Sequence, residues 1–208
     1  MCPHYRKLVN EDKLNPRTDS IFTTFGTAVH SVCEEIAPMD HQVSDPTTLF
    51  ESRFKEQLTK LEDVEQKTID QFMNQGKEIV VEVTEALKNY FGEYEVHQVE
   101  EQLFERIIEF PKKEYDFKGY VDLIVKTPDG KYHILDWKTC SWGWDARRKA
   151  EKLTTYQLTF YKKFFAEKYS VDPSMIETHF GLLKRTAKKG KKVEIFRVTS
   201  SDKKTKNA

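Results

Sequence analysis

The first half of the chain carries apolar residues at the spacing of amphipathic helices. They recur every three or four positions, which gives one apolar face, in three segments: residues 20–36, 44–61 and 64–91. Asp19 is a candidate N-cap before the first segment, and Ser44 or Asp45 is one before the second. Pro46 suits a first helical position, and Gly92 suits a helix end. The pattern therefore predicts three helices in this half.

Beyond Gly92 the period changes to the alternation of β-strands. β-Branched and aromatic residues alternate with polar ones over residues 94–110 and 115–126. The turn sequence TPDGK, residues 127–131, then joins GYVDLIVK to KYHILDWK, which predicts a β-hairpin. The remaining pattern predicts a helix and two strands, at about residues 149–168, 176–185 and 192–198. The predicted order is helices, three strands, one helix and two strands.

Composition narrows the class of protein. With 208 residues, 38% of them hydrophobic and 33% charged, the chain suits one globular domain, residues 1–208. Residues 1–92 would form its mainly helical part, and residues 93–200 its sheet with the last helix. No apolar run reaches the length of a membrane span, the first residues lack a signal-peptide pattern, and three widely spaced cysteines form no disulfide framework. We therefore expect an intracellular, cytoplasmic protein without a membrane partner.

Charge is balanced overall but divided between the two halves. Residues 1–110 hold 11 Lys and Arg against 22 Asp and Glu, a net charge of −11. Residues 111–208 hold 23 against 12, a net charge of +11. Such a division is typical of a protein with one side that faces a polyanion, although a solvated charged surface would show it as well.

An acid and a base stand two residues apart at the end of the run KYHILDWK. Side chains alternate along a strand, so Asp136 and Lys138 share one face while Trp137 points to the other. The hairpin is expected to bring Asp122, on the preceding strand, close to Asp136. Two adjoining carboxylates repel each other unless a cation lies between them, and Mg²⁺ prefers such oxygen ligands. The alternative is a surface ion pair between Asp136 and Lys138 beside an unrelated Asp122.

Four short motifs follow one another along the predicted elements: GTAVH on the first helix, GYVD and DWKT on the two strands of the hairpin, and QLTFY on the last helix. Their defining residues are Gly26, His30, Gly119, Asp122, Asp136, Lys138, Thr139, Gln157 and Tyr161. In this order they resemble the motifs of the PD-(D/E)XK nuclease superfamily, specifically its RecB-like branch. The resemblance covers about residues 2–170. It implies a restriction-endonuclease-like α/β fold, a mixed sheet flanked by helices, with a helical N-terminal half.

The resemblance implies a metal site. Asp122, Asp136 and His30 would bind Mg²⁺ or Mn²⁺, with His30 reaching in from its helix. Without the motifs, His30 would be an ordinary hydrogen-bonded helix histidine. Some relatives also hold an iron–sulfur cluster through four cysteines; this chain has three cysteines, so we expect no iron–sulfur cluster.

The resemblance also assigns the chemical step. Lys138 would activate the attacking water or stabilise the charge that develops on phosphorus, with Asp122 and Asp136 completing the catalytic set. Gln157 and Tyr161 would position Lys138 or contact the DNA backbone. Glu100 or Glu101 could supply an accessory acid, but a solvated strand face is the simpler interpretation of both.

An aromatic and basic stretch, SWGWDARRK, follows the DWKT motif. Trp142 and Trp144 would stack on bases, while Arg147, Arg148 and Lys149 would hold the phosphates of a DNA strand. The alternative is that the two indoles close the core and the three cations are solvated.

These features favour a metal-dependent deoxyribonuclease. The simplest form is an exonuclease that acts on single strands or duplex ends of DNA in recombination, repair or processing. A catalytically silent nucleic-acid-binding module on the same fold and a plain structural protein are the alternatives. The sequence identifies no protein partner.

Overall fold

The computed structural model describes residues 20–38, 45–107 and 115–199. Three helices come first: α1 (Ile21–Ile36), α2 (Pro46–Leu58) and α3 (Gln66–Phe91). The elements that follow are β1 (Glu95–Ile107), β2 (Tyr115–Lys126), β3 (Tyr132–Cys140), α4 (Ala146–Lys149), α5 (Lys152–Tyr169), β4 (Ile176–Lys184) and β5 (Val193–Val198). The predicted order of helices and strands is confirmed for the described part of the chain.

Helix ends follow the capping signals, with one correction. Ser20 is the N-cap of α1, because its side chain accepts a hydrogen bond from the backbone N–H of Thr23. The predicted cap, Asp19, lies outside the described residues. Asp45 caps α2 as predicted, and Gly92 ends α3 with a φ of 73° that suits glycine.

The predicted helix after the DWKT motif is divided in two. Asp145 caps a single turn, α4, by accepting a hydrogen bond from the backbone N–H of Arg148 at 2.7 Å. This turn ends at Ala150, and α5 begins two residues later. The side-chain cap starts a helix earlier than the periodicity predicted, and the chain then changes direction before the longer helix.

Within the described residues, five strands form one mixed sheet in the order β1-β2-β3-β4-β5. Only the pairing of β3 with β4 is parallel, and the crossover between them contains α4 and α5. α1 contacts β2 and β3, whereas α5 contacts β1, β3 and β4. The mixed sheet flanked by helices, with helices in the N-terminal half, confirms the restriction-endonuclease-like fold class.

Alternate residues of the central strands enter two separate cores, one on each face of the sheet. Leu135 and Trp137 join the core under α1 and α3, while Ile134 and Phe180 join the core under α5. Trp137 is fully buried, as its parity predicted. In the described ranges no helix combines the length and the hydropathy needed to cross a membrane.

Candidate active site

The ladder between β2 and β3 ends at the candidate carboxylates. Pairing reaches Leu123 and Leu135, and the next pair in register would be Asp122 with Asp136. Instead, the Asp122 carboxylate accepts a hydrogen bond from the backbone N–H of Trp137, with an Oδ2–N distance of 2.6 Å. A side chain thus takes the place of a main-chain acceptor, and the two acids meet where the strands stop pairing.

Strand β1 is irregular at the same level. Glu100 has a φ of 46°, a left-handed value that costs a non-glycine residue about 1–2 kcal/mol. It makes no pair of its own, although Val99 and Glu101 on either side pair with β2 in an unchanged register that puts Glu100 opposite Asp122. Its charge is close enough to raise the pKa of Asp122, after the larger effect of burial. Glu100 therefore lies beside the candidate site.

The neighbouring acid, Glu101, has a different environment from the solvated face that the sequence suggested. Its side chain is buried, and Oε1 accepts hydrogen bonds from Lys168 Nζ and Tyr169 Oη, each at 2.6 Å. That interpretation was wrong for Glu101, because the end of α5 packs over this part of β1 and supplies both donors.

Helix α1 brings His30 to Asp122. The distance from His30 Nδ1 to Asp122 Oδ2 is 3.7 Å. One turn earlier, a Cβ on Gly26 would lie 3.4 Å from Thr139 Oγ1, so the helix passes close over β3 at the DWKT motif. Burial lowers the pKa of His30 to about 4, and the imidazole is therefore neutral at pH 7 with a lone pair to offer a cation.

Asp136 and Lys138 form an ion pair, but Asp136 is not a surface residue. Asp136 is only 2% exposed, and Lys138 Nζ lies 2.6 Å from its Oδ2. The ammonium therefore offsets part of the charge of Asp136, whereas burial and, after it, the neighbouring charge of Asp122 raise its pKa. Burial raises the pKa of Asp122 as well. A divalent cation would remove the cost of burying these two charges, so the residues present fit one.

Helix α5 places Gln157 and Tyr161 beside the strands. Gln157 Nε2 donates a hydrogen bond to Tyr161 Oη at 2.8 Å, which confirms that the two share one helical face. A Cβ on Gly119 would lie 2.7 Å from the Tyr161 ring, so only glycine lets the ring reach this position. Burial, with the charges of Asp136 and Asp122, raises the pKa of Tyr161 to about 12. The phenol therefore stays protonated and can donate.

One acid of the site was not predicted. Glu34 lies one turn beyond His30 on α1, and burial raises its pKa to about 8, assisted by the charges of Glu100 and Asp122. The four-residue spacing from His30 was the available signal, because it places both side chains on one helical face. Glu34 on α1, Glu100 on β1 and Asp122 on β2 thus lie close enough for their charges to influence one another's ionisation.

The predicted DNA-binding residues divide into two groups. Trp142 is 78% exposed, and Arg147 is exposed as well. Trp144 instead packs against the Phe180 ring, with 5.2 Å between ring centroids, and the Arg148 guanidinium covers its face.

Lys149 is also engaged inside the protein. Its Nζ lies 2.5 Å from Glu194 Oε1 and 4.6 Å from the centroid of the Phe196 ring. These contacts tie α4 to β5. They leave Trp142, Arg147 and Arg148 as the more exposed members of the predicted set.

A cavity of about 320 Å³ opens beside the DWKT motif, between α1 and the segment after β3. Its lining includes Phe22, Thr139, Trp142, Arg148 and Arg185. Phe22 is 59% exposed, and the Arg185 guanidinium lies 5.2 Å from the centroid of its ring. The sequence did not predict Phe22 here, because nothing local distinguishes it from the core residues of α1.

A second group of ligating side chains lies elsewhere on the sheet. Atoms of His133, Glu177 and His179 that could hold a metal ion all lie within 4.8 Å of one another. His133 and His179 were not among the predicted ligands. Both occupy strands of the sheet but stand outside the Asp122 and Asp136 pair.

Two carboxylates brought together where a strand pair opens, with a lysine beside them and a helix histidine above, define a nuclease of the restriction-endonuclease-like fold. The chain belongs to the PD-(D/E)XK nuclease superfamily, whose family model matches residues 2–207. The resemblance inferred from the four motifs is therefore confirmed for the superfamily, while the RecB-like branch stays a prediction.

A solved structure agrees with this fold. A crystal structure from Eubacterium rectale, provisionally described as an exonuclease, aligns over 98% of this chain and 67% of that one, with 13% identity and a TM-score of 0.60. At that identity the likeness supports the fold alone. The structure of SSO0001 aligns over 84% of this chain and 75% of its own, with 14% identity and a TM-score of 0.37, which is too low to carry an argument. The search of curated proteins gave no match.

Proposed function

We propose that this nuclease hydrolyses DNA phosphodiester bonds with Mg²⁺ or Mn²⁺, as an exonuclease on single strands or duplex ends in recombination, repair or processing. The observation that carries the proposal is the end of the β2–β3 ladder. There Asp122 and Asp136 are held together, Asp136 is buried, and Lys138 stands within 2.6 Å of Asp136. Holding two carboxylates together, one of them buried, costs free energy in the metal-free protein, and a bound divalent cation would reduce that cost.

Three side chains would hold the cation. Asp122 and Asp136 offer carboxylate oxygens, and His30 offers a neutral imidazole 3.7 Å from Asp122. When bound, the cation supplies a water of lowered pKa and polarises a phosphoryl oxygen. Asp136 is buried, and burial together with the charge of Asp122 raises its pKa, so a cation between the two carboxylates would offset the cost of holding them together.

Lys138 would act on the phosphate rather than on the metal. It shares a strand face with Asp136, and its ammonium can stabilise negative charge that develops on the phosphoryl oxygens. Tyr161 keeps its proton and is fixed by Gln157, so its hydroxyl can donate to another phosphate oxygen. Both groups lie on the α5 side of the sheet, opposite α1.

The cavity beside Thr139 would guide the substrate. Trp142 and Phe22 present exposed rings, and Arg148 and Arg185 line the same cavity with positive charge. Bases can stack on such rings only when they are unpaired, whereas the cations bind phosphates of any sequence. The cavity opens at the same end of β3 as the candidate catalytic residues, but Thr139 and Lys138 point to opposite faces of that strand. A single-stranded end in this cavity would therefore have to pass the end of β3 to reach Lys138.

The first prediction tests the proposed activity. Labelled single-stranded and duplex oligonucleotides are expected to be degraded progressively from an end with Mg²⁺ or Mn²⁺, and to remain intact with EDTA. A covalently closed single-stranded circle is expected to resist, because it offers no end. Binding without cleavage under all conditions would instead identify a catalytically silent module, and cleavage of the circle would identify an endonuclease.

The second prediction tests the substrate path. Trp142→Ala is expected to weaken binding of single-stranded DNA by about 1–3 kcal/mol, or roughly 5–150-fold, since one stacking platform is lost. The matched control is Phe104→Ala, which removes an aromatic ring that is 57% exposed on β1 and does not line the cavity. Fluorescence anisotropy on a labelled strand measures both. If the two variants bound single-stranded DNA with equal affinity, Trp142 would not contact the substrate as proposed.

A further inference from the structure

His133, Glu177 and His179 form a compact cluster near the start of the parallel strand pair. His133 on β3 is opposite Glu177 on β4, and His179 follows on the same face of β4. His133 lies three positions before Asp136 on β3, and the two side chains point to opposite faces. Since a strand rises about 3.3 Å per residue, the cluster lies roughly 10 Å along β3 from the nuclease carboxylates. One ion cannot serve both groups.

The two imidazoles face each other with their ring nitrogens. His133 Nδ1 and His179 Nε2 are 3.1 Å apart. Two nitrogens bound to one tetrahedral Zn²⁺, each at about 2.0–2.1 Å, would be separated by roughly 3.3 Å. Glu177 Oε2 is 3.9 Å from His133 Nδ1 and can be the third ligand of the ion. A shift of a few tenths of an ångström would bring all three atoms to a shared ion.

The outer nitrogens are held in the way that metal-binding histidines require. The Thr127 hydroxyl donates to Asp129 at 2.5 Å, so its oxygen is left to accept from His133 Nε2–H at 3.0 Å. This assignment puts a lone pair on His133 Nδ1, which faces the cluster. Tyr90 Oη lies 3.2 Å from His179 Nδ1 and can accept a hydrogen bond from Nδ1–H, which leaves the lone pair of Nε2 available to a metal ion. Such hydroxyl partners orient the rings of metal ligands.

The carboxylate is oriented as well. Lys131 Nζ and Arg197 Nη2 contact Glu177 Oε1 at 3.2 and 3.3 Å, which leaves Oε2 on the side of His133. Burial lowers the pKa of both histidines, that of His179 to about 3, so both rings are neutral at pH 7. A cavity of about 450 Å³ borders the cluster and gives an ion a route to it.

We propose that His133, Glu177 and His179 bind one Zn²⁺, with a water in the fourth position, at a site separate from the nuclease centre. Two imidazoles and a carboxylate suit Zn²⁺, whereas Mg²⁺ favours oxygen ligands. In the metal-free chain the 3.1 Å contact between the two nitrogens needs a proton on one of them, which the tautomer of His133 assigns to His179 Nε2. With Zn²⁺ bound, His179 would take its other neutral tautomer: Nε2 would lose that proton to solvent and Nδ1 would gain one, which it would donate to Tyr90 Oη. The ion would tie β3 to β4 and, through Tyr90, to the end of α3.

The test uses the full chain with the nuclease ligands removed, as the variant His30→Ala with Asp136→Asn. Co²⁺ is added first, because four-coordinate Co²⁺ absorbs visible light much more strongly than the six-coordinate ion. One equivalent with an intense band is expected, and Zn²⁺ is expected to displace it. Adding His179→Ala or Glu177→Gln should weaken Zn²⁺ binding by about 10–100-fold or more, since even outer partners of ligands contribute that much.

The matched control is His97→Ala in the same background, which removes an exposed imidazole on β1 and should leave the band and the affinity unchanged. Glu177→Gln keeps the size of the side chain and carries the test if the buried His179→Ala variant does not fold. An unchanged Co²⁺ band in Glu177→Gln and His179→Ala, or only the weak spectrum of six-coordinate Co²⁺ in the background variant, would overturn the proposal.

Discussion

Lys138→Ala is expected to lower the rate of DNA cleavage by about 10²–10³, the usual loss when one positioned donor to a transition-state oxyanion is removed. Metal binding is expected to change by no more than a few-fold, because the ammonium pairs with Asp136 but cannot itself bind a cation. Single-turnover cleavage of a labelled strand measures the first quantity, and calorimetry with Mn²⁺ measures the second.

Lys126→Ala is the matched control for Lys138→Ala. Lys126 lies on β2 of the same hairpin, where its ammonium is 5.3 Å from the centroid of the Tyr132 ring, away from the carboxylates. This control should cleave at the wild-type rate. If Lys138→Ala cleaved as fast as Lys126→Ala, the Asp136–Lys138 contact would be a structural ion pair and the proposed mechanism would fail.

Asp136→Asn is expected to remove metal binding and cleavage together. A bound cation contributes several kcal/mol to the transition state, so the cleavage rate should fall by about 10³ or more. Stability in EDTA should not fall, and it should rise at neutral pH. The reason is that burial raises the pKa of Asp136, so that the ionised form destabilises the metal-free protein above the usual pKa of an aspartate, whereas asparagine carries no charge to bury.

Thermal unfolding in EDTA and calorimetry with Mn²⁺ check the two halves of this prediction. Asp70→Asn is the control, since Asp70 is exposed on α3 and accepts a hydrogen bond from Gln66. It should retain both metal binding and cleavage. Normal Mn²⁺ affinity in Asp136→Asn would contradict the assignment of Asp136 as a ligand, whatever its effect on the rate.

Much of this architecture was predictable because helices and strands each impose their own spacing of apolar residues along the chain. The helical spacing of apolar residues located α1, α2 and α3, and Asp45 and Gly92 marked two of their ends. Strand alternation placed Asp136 and Lys138 on one face and Trp137 in the core. The four motifs predicted the superfamily because their residues follow in the expected order on elements of the expected type: α1, β2, β3 and α5.

The tertiary structure alone decided how the site is assembled. Parity suggested that Asp122 would face Asp136 across a ladder, but the ladder ends there and Asp122 accepts from the Trp137 backbone instead. Glu34 comes near Asp122 because α1 crosses β2, and Glu100 does so because the pairing of β1 with β2 puts it opposite Asp122. A local pattern specifies which face a side chain takes, not where a neighbouring strand stops pairing.

Local patterns could not predict two further features, because both depend on contacts between distant segments. Trp142 and Trp144 look equivalent in SWGW, yet one is exposed and the other packs on Phe180, since β4 lies under only one of them. His133 and His179 are separated by 46 residues and meet only through the parallel register of β3 and β4. By itself the sequence determined the elements, their order and the chemistry they carry. Contacts between distant segments, which depend on packing and register across the whole sheet, decided which of those side chains meet.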